Sequence, residues 1–251
     1  MDDTNVEHRN FLFIIESPGA EDFLEDRKEG DTLRAMLELG GIQAKYRTAV
    51  TKEAFVASLV ELSKFSPSAS HYSPEDVQIS GGRYRIRDAP LKRTLFHPVL
   101  HLSCHSNEEL LAFSSGEKMT WHEFGGLLYE LNDEIGWINN DMSHLAIGLS
   151  SCEGYAAAKR VIHKGKPVPF VILIGPTEPV SWADSLVAFS VYYHLTLTDR
   201  LPGGIGEGVK RMNMAAGLEP NTFRGMNWQR KETDDRRVPD PDKSGDDRRE
   251  R

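Results

Sequence analysis

Short apolar stretches recur along the chain, and most of them are followed by an amphipathic stretch with helical spacing. The apolar stretches predict buried strands, namely FLFIIES, IQAKYRTAV, HPVLHLSC, HLAIGLSS and PFVILIG, which begin at residues 11, 42, 97, 144 and 169. Helices are predicted for DTLRAMLELG, KEAFVASLVELSKF, TWHEFGGLLYELND, GYAAAKRVIHKG, SWADSLVAFSVYYHLTL and EGVKRMNMAAG. Because strands and helices alternate, we expect an α/β fold with a mostly parallel sheet and helices on both faces.

Polar residues and glycines mark the expected ends of several elements. Asp31 or Thr32 is the expected N-cap of the first helix, which the pair Gly40-Gly41 should end. Thr51 and Thr120 are the expected N-caps of the next two helices. The stretch EELLAFSSGEKMT, between the strand HPVLHLSC and the third helix, predicts a small hairpin.

Two segments depart from the strand and helix pattern. Residues 66–92 are rich in serine, proline, glycine and charge, which predicts a loop or hairpin insertion. Residues 229–251 consist almost wholly of charged residues, proline and glycine, so this tail is expected to be disordered. The remaining chain, residues 8–228, is expected to form one domain that contains the insertion.

Composition narrows the function classes. The 251 residues carry a formal net charge of -8, which disfavours a general nucleic-acid binder, and 39% of them are hydrophobic, which allows a large core. The apolar run 11–15 is too short for a signal-peptide core, and no run is long enough for a membrane-spanning helix. Two cysteines do not make a disulfide framework. We therefore expect a cytoplasmic protein without a membrane or nucleic-acid partner.

Both cysteines close an apolar run, but the residues that follow them differ. Cys104 is followed at once by His105, whereas Cys152 precedes a stretch that is predicted to be helical. Ligands bind at the carboxyl ends of strands in open α/β sheets, and one predicted helix separates these two strand ends. We therefore expect His105 and Cys152 on adjacent strands, where the imidazole and the helix N-terminus favour the thiolate. The backbone N–H groups of Ser106 and Cys152 are placed to stabilise an oxyanion.

This pattern resembles that of the caspase-like cysteine peptidases, in which one apolar strand ends in His-(small) and a later one in (small)-Cys. The residues here are His105-Ser106 and Ser151-Cys152, whereas the family typically has Gly after the His and often Ala before the Cys. EELLAFSSGEKMTWHEFGGLL is similar to the hairpin and helix that follow the histidine in the CHAT branch of the group. VILIGPTEPVSWADSLVAFSVYYHL is similar to the CHAT strand and helix that follow the cysteine.

The resemblance implies a caspase-like three-layer α/β/α sandwich and peptide-bond hydrolysis through an acyl-enzyme, with no cofactor and no metal. By the same resemblance, His105 would be the general acid/base and Cys152 the nucleophile. CHAT proteins are often bacterial effectors, so a regulated role in antiviral defence or stress is implied. The implied partners are a protein or peptide substrate and an activating sensor protein.

Two acidic residues follow the strand PFVILIG, in a region that commonly walls the pocket for the substrate side chain in the implied fold. Glu178 lies in the loop, and Asp184 lies near the start of the next predicted helix. A desolvated carboxylate there would favour arginine or lysine on the amino side of the cleaved bond. Alternatively, Asp184 only caps its helix and Glu178 is solvated.

The same cysteine and histidine residues also allow structural interpretations, in which they do not take part in catalysis. A free cysteine at a strand end is most often a small buried hydrophobe, and we expect this role for Cys104, which should face away from His105. His101 shares the His105 face of an extended strand and either lines the cleft or is buried. A zinc site formed by His101, Cys104, His105 and Cys152 is disfavoured because Cys104 faces away.

Two further function classes are compatible with the sequence. One is a non-catalytic caspase-like scaffold that only binds a partner. The other is a TIR-like NAD hydrolase, because the first strand, acidic loop and helix occur in the order of that class. Glu153 is then the candidate for the catalytic glutamate.

Overall fold

The computed structural model of the protein describes residues 6–19, 21–22, 25, 28–64, 93–137, 143–198, 200 and 203–228. The insertion expected at 66–92 and the tail expected at 229–251 lie outside these residues. Strands and helices alternate over most of the described part of the chain.

A mixed sheet forms the centre of the molecule. Its main strands, in chain order, are β1 (Val6–Ser17), β2 (Ala44–Thr48), β3 (Arg93–Ser106), β6 (Ala146–Ser150), β7 (Ile172–Pro176) and β8 (Phe223–Asn227). Their spatial order is β2-β1-β3-β6-β7-β8. The neighbours pair in parallel except β8, which lies antiparallel to β7. The expected hairpin is confirmed, and its strands β4 (Leu110–Ala112) and β5 (Lys118–Thr120) extend from the end of β3.

The helices pack on both faces of this sheet. They are α1 (Glu29–Leu39), α2 (Lys52–Ser63), α3 (Trp121–Ile135), α4 (Ala157–Arg160), α5 (Trp182–Leu197) and α6 (Gly204–Ala215). None of the described helices combines the length and the apolar character needed to cross a membrane.

Each face of the sheet has its own apolar cluster. On the α2/α3 face, Phe55 and Trp121 join a cluster with Leu102 of the central strand. On the α1/α5 face, Leu33 and Phe189 belong to a second cluster, to which α6 also contributes. The layers follow from side-chain alternation, which sends successive strand residues into opposite clusters. The expected α/β fold, with helices on both faces of a mostly parallel sheet, is confirmed.

The helix starts agree with the sequence in two cases and differ in one. Thr51 and Thr120 are N-caps, and their hydroxyl groups accept the N–H of the third residue of each helix. The prediction for the first helix is wrong, because α1 begins at Glu29 and neither Asp31 nor Thr32 caps it. Residues 29 and 30 are helical because the Gly30 N–H donates to the buried carboxylate of Glu16 at 3.1 Å, which replaces a cap.

The helix predicted over residues 154–165 ends earlier than expected. The chain makes one 3₁₀ turn at Gly154–Ala156 and then the short helix α4, whose C-cap is Val161. The main chain of Val161 lies directly against Gly125 of α3, and the His163 N–H donates to the hydroxyl of Tyr129. This contact with α3 redirects the chain after one helical turn.

Candidate active site

Strand register brings the two predicted catalytic residues to neighbouring strand ends. Ser103 of β3 and Ser150 of β6 are partners across the parallel pairing. His105 and Cys152 each lie two residues further on, at the same end of the sheet. The two segments stay together beyond this pair, because the Ser106 hydroxyl donates to the Cys152 carbonyl at 2.5 Å. Both candidate residues are accessible, since the His105 side chain is 52% exposed and Cys152 is only partly buried.

His105 has an acidic neighbour, which sequence reasoning did not assign to the site, and an aromatic neighbour. Its Nε2 lies 3.6 Å from Oδ2 of Asp22, which is an electrostatic contact rather than a hydrogen bond. The indole of Trp182 meets the imidazole edge to face, with 5.4 Å between the ring centroids. Trp182 Nε1 donates to the same Asp22 oxygen at 3.3 Å. The hydrogen bond from Trp182 thus helps to hold the Asp22 carboxylate beside the imidazole.

The loop that carries Asp22 comes unusually close to the histidine. A Cβ atom built on Gly19 would lie 2.6 Å from His105 Nε2 and 3.0 Å from Asp22 Oδ2. The close approach therefore requires glycine at position 19. The only signal for this arrangement in the sequence is the acidic stretch after the first strand, residues 21–26.

Alternation along β3 separates Cys104 from His105 as expected. Cys104 belongs to the apolar cluster on the α2/α3 face, and burial raises the pKa of its thiol to about 12. His101 lies on the other face, where its ring contacts Phe189 and Tyr193 of α5. The zinc site considered above is not assembled, and no described group of three or more His, Cys, Asp or Glu residues has metal-binding geometry.

In the pairing of β3 with β4, the Ser106 N–H is directed away from β4. The Asn107 N–H donates to the Leu110 carbonyl at the hairpin turn, and Ser106 faces Leu111 in the next pair. Because antiparallel pairs alternate between hydrogen-bonded and non-bonded types, the Ser106–Leu111 pair is non-bonded. The Ser106 N–H therefore points away from β4, as an oxyanion donor requires.

Glu153 links the turn after Cys152 to the start of the hairpin. Its backbone is left-handed, with φ of 56°, and it is the one described non-glycine residue with positive φ. Its carboxylate accepts the Glu108 N–H at 3.0 Å, which ties the residues after His105 to the residues after Cys152. We call this link the Glu153 clasp.

The predicted substrate-binding carboxylates both have partners within the protein. The Asp184 carboxylate accepts from the Ser181 hydroxyl at 2.7 Å, and Ser181 in turn caps α5 through the Asp184 N–H. The Glu178 carboxylate accepts from the Thr222 hydroxyl at 2.8 Å. The Glu178 carbonyl lies 3.5 Å from the Glu153 nitrogen, so its loop borders the turn that carries Cys152. Their role in substrate binding stays a prediction.

Comparison with known proteins gives fold-level similarity only. No family model and no curated protein sequence matches the chain. Among solved structures, the chain is similar to the Arg-specific cysteine proteinase gingipain R, with 14% identity and a TM-score of 0.43, over 87% of this chain and 46% of that one. It is similar to a complex of Porphyromonas gingivalis RgpB pro- and mature domains, with 14% identity and a TM-score of 0.44, over 87% of this chain and 47% of that one. The chain thus spans less than half the length of either matched chain, and the similarity assigns no activity to it.

Proposed function

We propose that the protein is a caspase-like cysteine peptidase with a dyad formed by His105 and Cys152. The observation that carries the proposal is the register of β3 and β6, which sets the two residues equally far beyond a paired position. A histidine beside a cysteine at the carboxyl ends of parallel strands is an arrangement that activates a thiol as a nucleophile. The buried carboxylate of Asp22 near the imidazole supplies the third, orienting group.

The groups support acyl transfer in two half-reactions. His105 removes the thiol proton, and the Cys152 sulfur attacks the peptide carbonyl carbon. The backbone N–H groups of Ser106 and Cys152 stabilise the resulting oxyanion. The C–N bond breaks as His105 returns its proton to the leaving amine, which leaves a thioester. Water, deprotonated by His105, then hydrolyses the thioester and restores the thiol.

The biological role that we propose is that of a regulated cytoplasmic effector in bacterial defence or stress. This proposal rests on the resemblance of the strand, hairpin and helix stretches to the CHAT branch. It includes an activating partner and a protein substrate.

A non-catalytic scaffold of the same fold is the competing function. A peptide carrying a thiol-reactive electrophile separates the two, because only the peptidase becomes labelled at Cys152. Release of nicotinamide from NAD would instead identify a TIR-like hydrolase.

Selective alkylation provides a test of the dyad that needs no natural substrate. At pH 7, iodoacetamide should modify Cys152 rapidly, and His105→Ala should slow this reaction because the imidazole favours the thiolate. Cys104 should stay unmodified until the protein unfolds, because it is 6% exposed and its pKa is raised to about 12. Mass spectrometry of the alkylated peptides measures both rates. Equal reactivity of the two thiols in the folded protein would contradict the dyad.

The Glu153 clasp can be separated from the backbone conformation of the same residue. Glu153→Gly and Glu153→Ala both remove the clasp, but only glycine adopts the left-handed backbone without strain. The free energy of unfolding of Glu153→Gly should therefore exceed that of Glu153→Ala by about 1 kcal/mol. Both variants should lower kcat/KM by about tenfold, because the segment after His105 is no longer tied to the turn after Cys152.

Glu153→Gln is the matched control, because its amide oxygen still accepts the Glu108 N–H. It should keep kcat/KM within about threefold of the parent value. Chemical denaturation and peptide hydrolysis give the two readouts. If Glu153→Gly hydrolyses peptides as fast as the parent protein, the clasp does not position the dyad.

A further inference from the structure

A row of four aromatic rings runs along one side of α3, on the face of the sheet opposite α1 and α5. The imidazoles of His122 and His163 stack with 4.0 Å between their centroids and 25° between their planes. His163 also contacts the ring of Tyr129 at 4.9 Å, and Tyr129 stacks on Trp137 at 6.2 Å. These four residues are called the aromatic row below. His122 ends the row and is exposed, so the outer face of its imidazole is open to solvent.

Basic residues accompany the aromatic row, although the chain as a whole is acidic. Residues 154–177 contain four lysine or arginine residues and no aspartate or glutamate, whereas the 251 residues together carry a formal net charge of -8. All four basic residues are exposed, namely Lys159, Arg160, Lys164 and Lys166. Lys164 follows His163 in the chain, and the Lys166 ammonium lies 4.7 Å over the Tyr129 ring. Positive charge is therefore concentrated beside the row, where the net charge of the chain does not predict it.

Neighbouring acidic side chains leave this positive charge largely unpaired. The three lysines form no ion pair with a described residue, and Arg160 makes a contact with Glu108 at 4.0 Å. Asp133, on the same side of α3 as the row, accepts a hydrogen bond from Trp137 Nε1 at 2.8 Å. The exposed glutamates of α3 lie roughly 80–120° around the helix from His122, namely Glu123, Glu130 and Glu134. The surface beside the row is therefore suited to an anionic ligand.

Unpaired bases and phosphates, which a single strand of nucleic acid carries together, match the two features of this surface. Proteins that bind single strands without sequence preference pair cations with the phosphates and stack the bases on aromatic side chains. A duplex keeps its base faces stacked within the helix, and an acidic peptide has no base to stack. The open face of His122 therefore favours a single strand over both.

We propose that the aromatic row and the lysines beside it bind a single-stranded nucleic acid. One base continues the stack on the open face of His122. The phosphates lie against Lys159 and Lys164, which are both exposed. The net charge of the chain disfavours a general nucleic-acid binder, and the site is correspondingly confined to α3 and residues 159–166. This binding site goes beyond the proposed peptidase function and does not use the dyad.

Fluorescence anisotropy of a fluorescein-labelled oligothymidylate of about 12 nucleotides measures this binding. His122→Ala should weaken the affinity about tenfold, because the stacked base loses its platform. His122→Phe keeps a flat ring and should stay within about threefold of the parent affinity. His194→Ala is the matched control, because it removes a partly exposed imidazole from the α1/α5 face and should not change the affinity. Full affinity of folded His122→Ala would overturn the proposal.

Salt dependence tests the contribution of the lysines. The affinity of the parent protein should fall as the salt concentration rises, because binding releases counterions from the phosphates. Lys164→Ala should weaken binding and lower the slope of log Kd against log salt concentration by about 1. Lys210→Ala, which removes an exposed lysine of α6, is the matched control and should change neither quantity. A parent protein that does not bind oligothymidylate at about 50 mM salt would contradict the proposed site.

Two further probes separate nucleic acid from other anions. An abasic strand of the same length has phosphates without bases, and a glutamate peptide has negative charge without either. Both should bind at least about tenfold more weakly than oligothymidylate. Equal binding of the glutamate peptide would assign the surface to an acidic protein partner, and equal binding of the abasic strand would show that no base is stacked; either result overturns the proposal. Cys152→Ala should bind oligothymidylate as the parent protein does, so the outcome is independent of the proposed peptidase function.

Discussion

Cys152→Ala should abolish peptide hydrolysis, and His105→Ala should lower kcat/KM by at least about 1,000-fold. The sulfur is the atom that bonds to the substrate, and alanine offers no replacement for it. Without His105, no imidazole removes the thiol proton or protonates the leaving amine. The double variant should be no less active than Cys152→Ala, because residues that act as one unit do not lose activity additively.

Steady-state hydrolysis of the preferred fluorogenic peptide measures these effects. Cys104→Ala is the matched control, because it removes the other thiol, which lies on β3 next to His105, and should leave turnover largely intact. Cys104→Ala should lower only the free energy of unfolding, because a buried side chain loses its sulfur. Full activity of folded Cys152→Ala would refute the proposed mechanism.

Gly125→Ala should lower the free energy of unfolding by about 3 kcal/mol or more. A Cβ atom at this position of α3 would lie 2.3 Å from the Val161 carbonyl oxygen and 2.9 Å from its carbon. These are main-chain atoms, which cannot rotate away as the end of a flexible side chain can. Relief would therefore need α3 and the segment after α4 to separate.

The neighbouring glycine is a close control for this prediction. A Cβ on Gly126 would have His163 Cε1 as its nearest neighbour, at 3.9 Å, which is an ordinary contact. Gly126→Ala should therefore raise the free energy of unfolding by up to about 1 kcal/mol, since alanine is the better helix former. Urea denaturation of both variants gives the comparison. Equal stability of the two would show that α3 does not need glycine to pack against Val161.

The candidate dyad could be predicted from the sequence, because strand ends and the two-residue period of a strand are visible in short stretches of sequence. The apolar runs locate two strand ends, and the period of two predicts that Cys104 and His105 face opposite sides. The structure confirms this separation, with Cys104 in the apolar cluster of the α2/α3 face. The strands that lead to His105 and Cys152 are neighbours because a single crossover joins these parallel strands.

Other features depend on contacts between distant segments and have no local signal. Asp22 contacts His105 and Trp182, and both of these residues are far from it in the chain. The strand β8 was not predicted, because FRGMN lacks an alternating apolar pattern. It is held instead by Asn213, whose side chain accepts the Phe223 N–H and donates to the Phe223 carbonyl. Tertiary contacts here override weak local propensity.

The long pairing of β1 with β3 has a consequence for how the protein folds. These strands pair continuously from Phe11 with Pro98 to Ser17 with Cys104, yet β2, α1, α2 and residues 65–92 lie between them in the chain. The central contact of the sheet is therefore highly non-local, and such contacts form slowly because the chain must first close a long loop. Because Asp22 follows β1 and His105 ends β3, Asp22 reaches the imidazole only after this closure. Newly made chains would bring the carboxylate of Asp22 to the proposed dyad late in folding, once the centre of the sheet is in place.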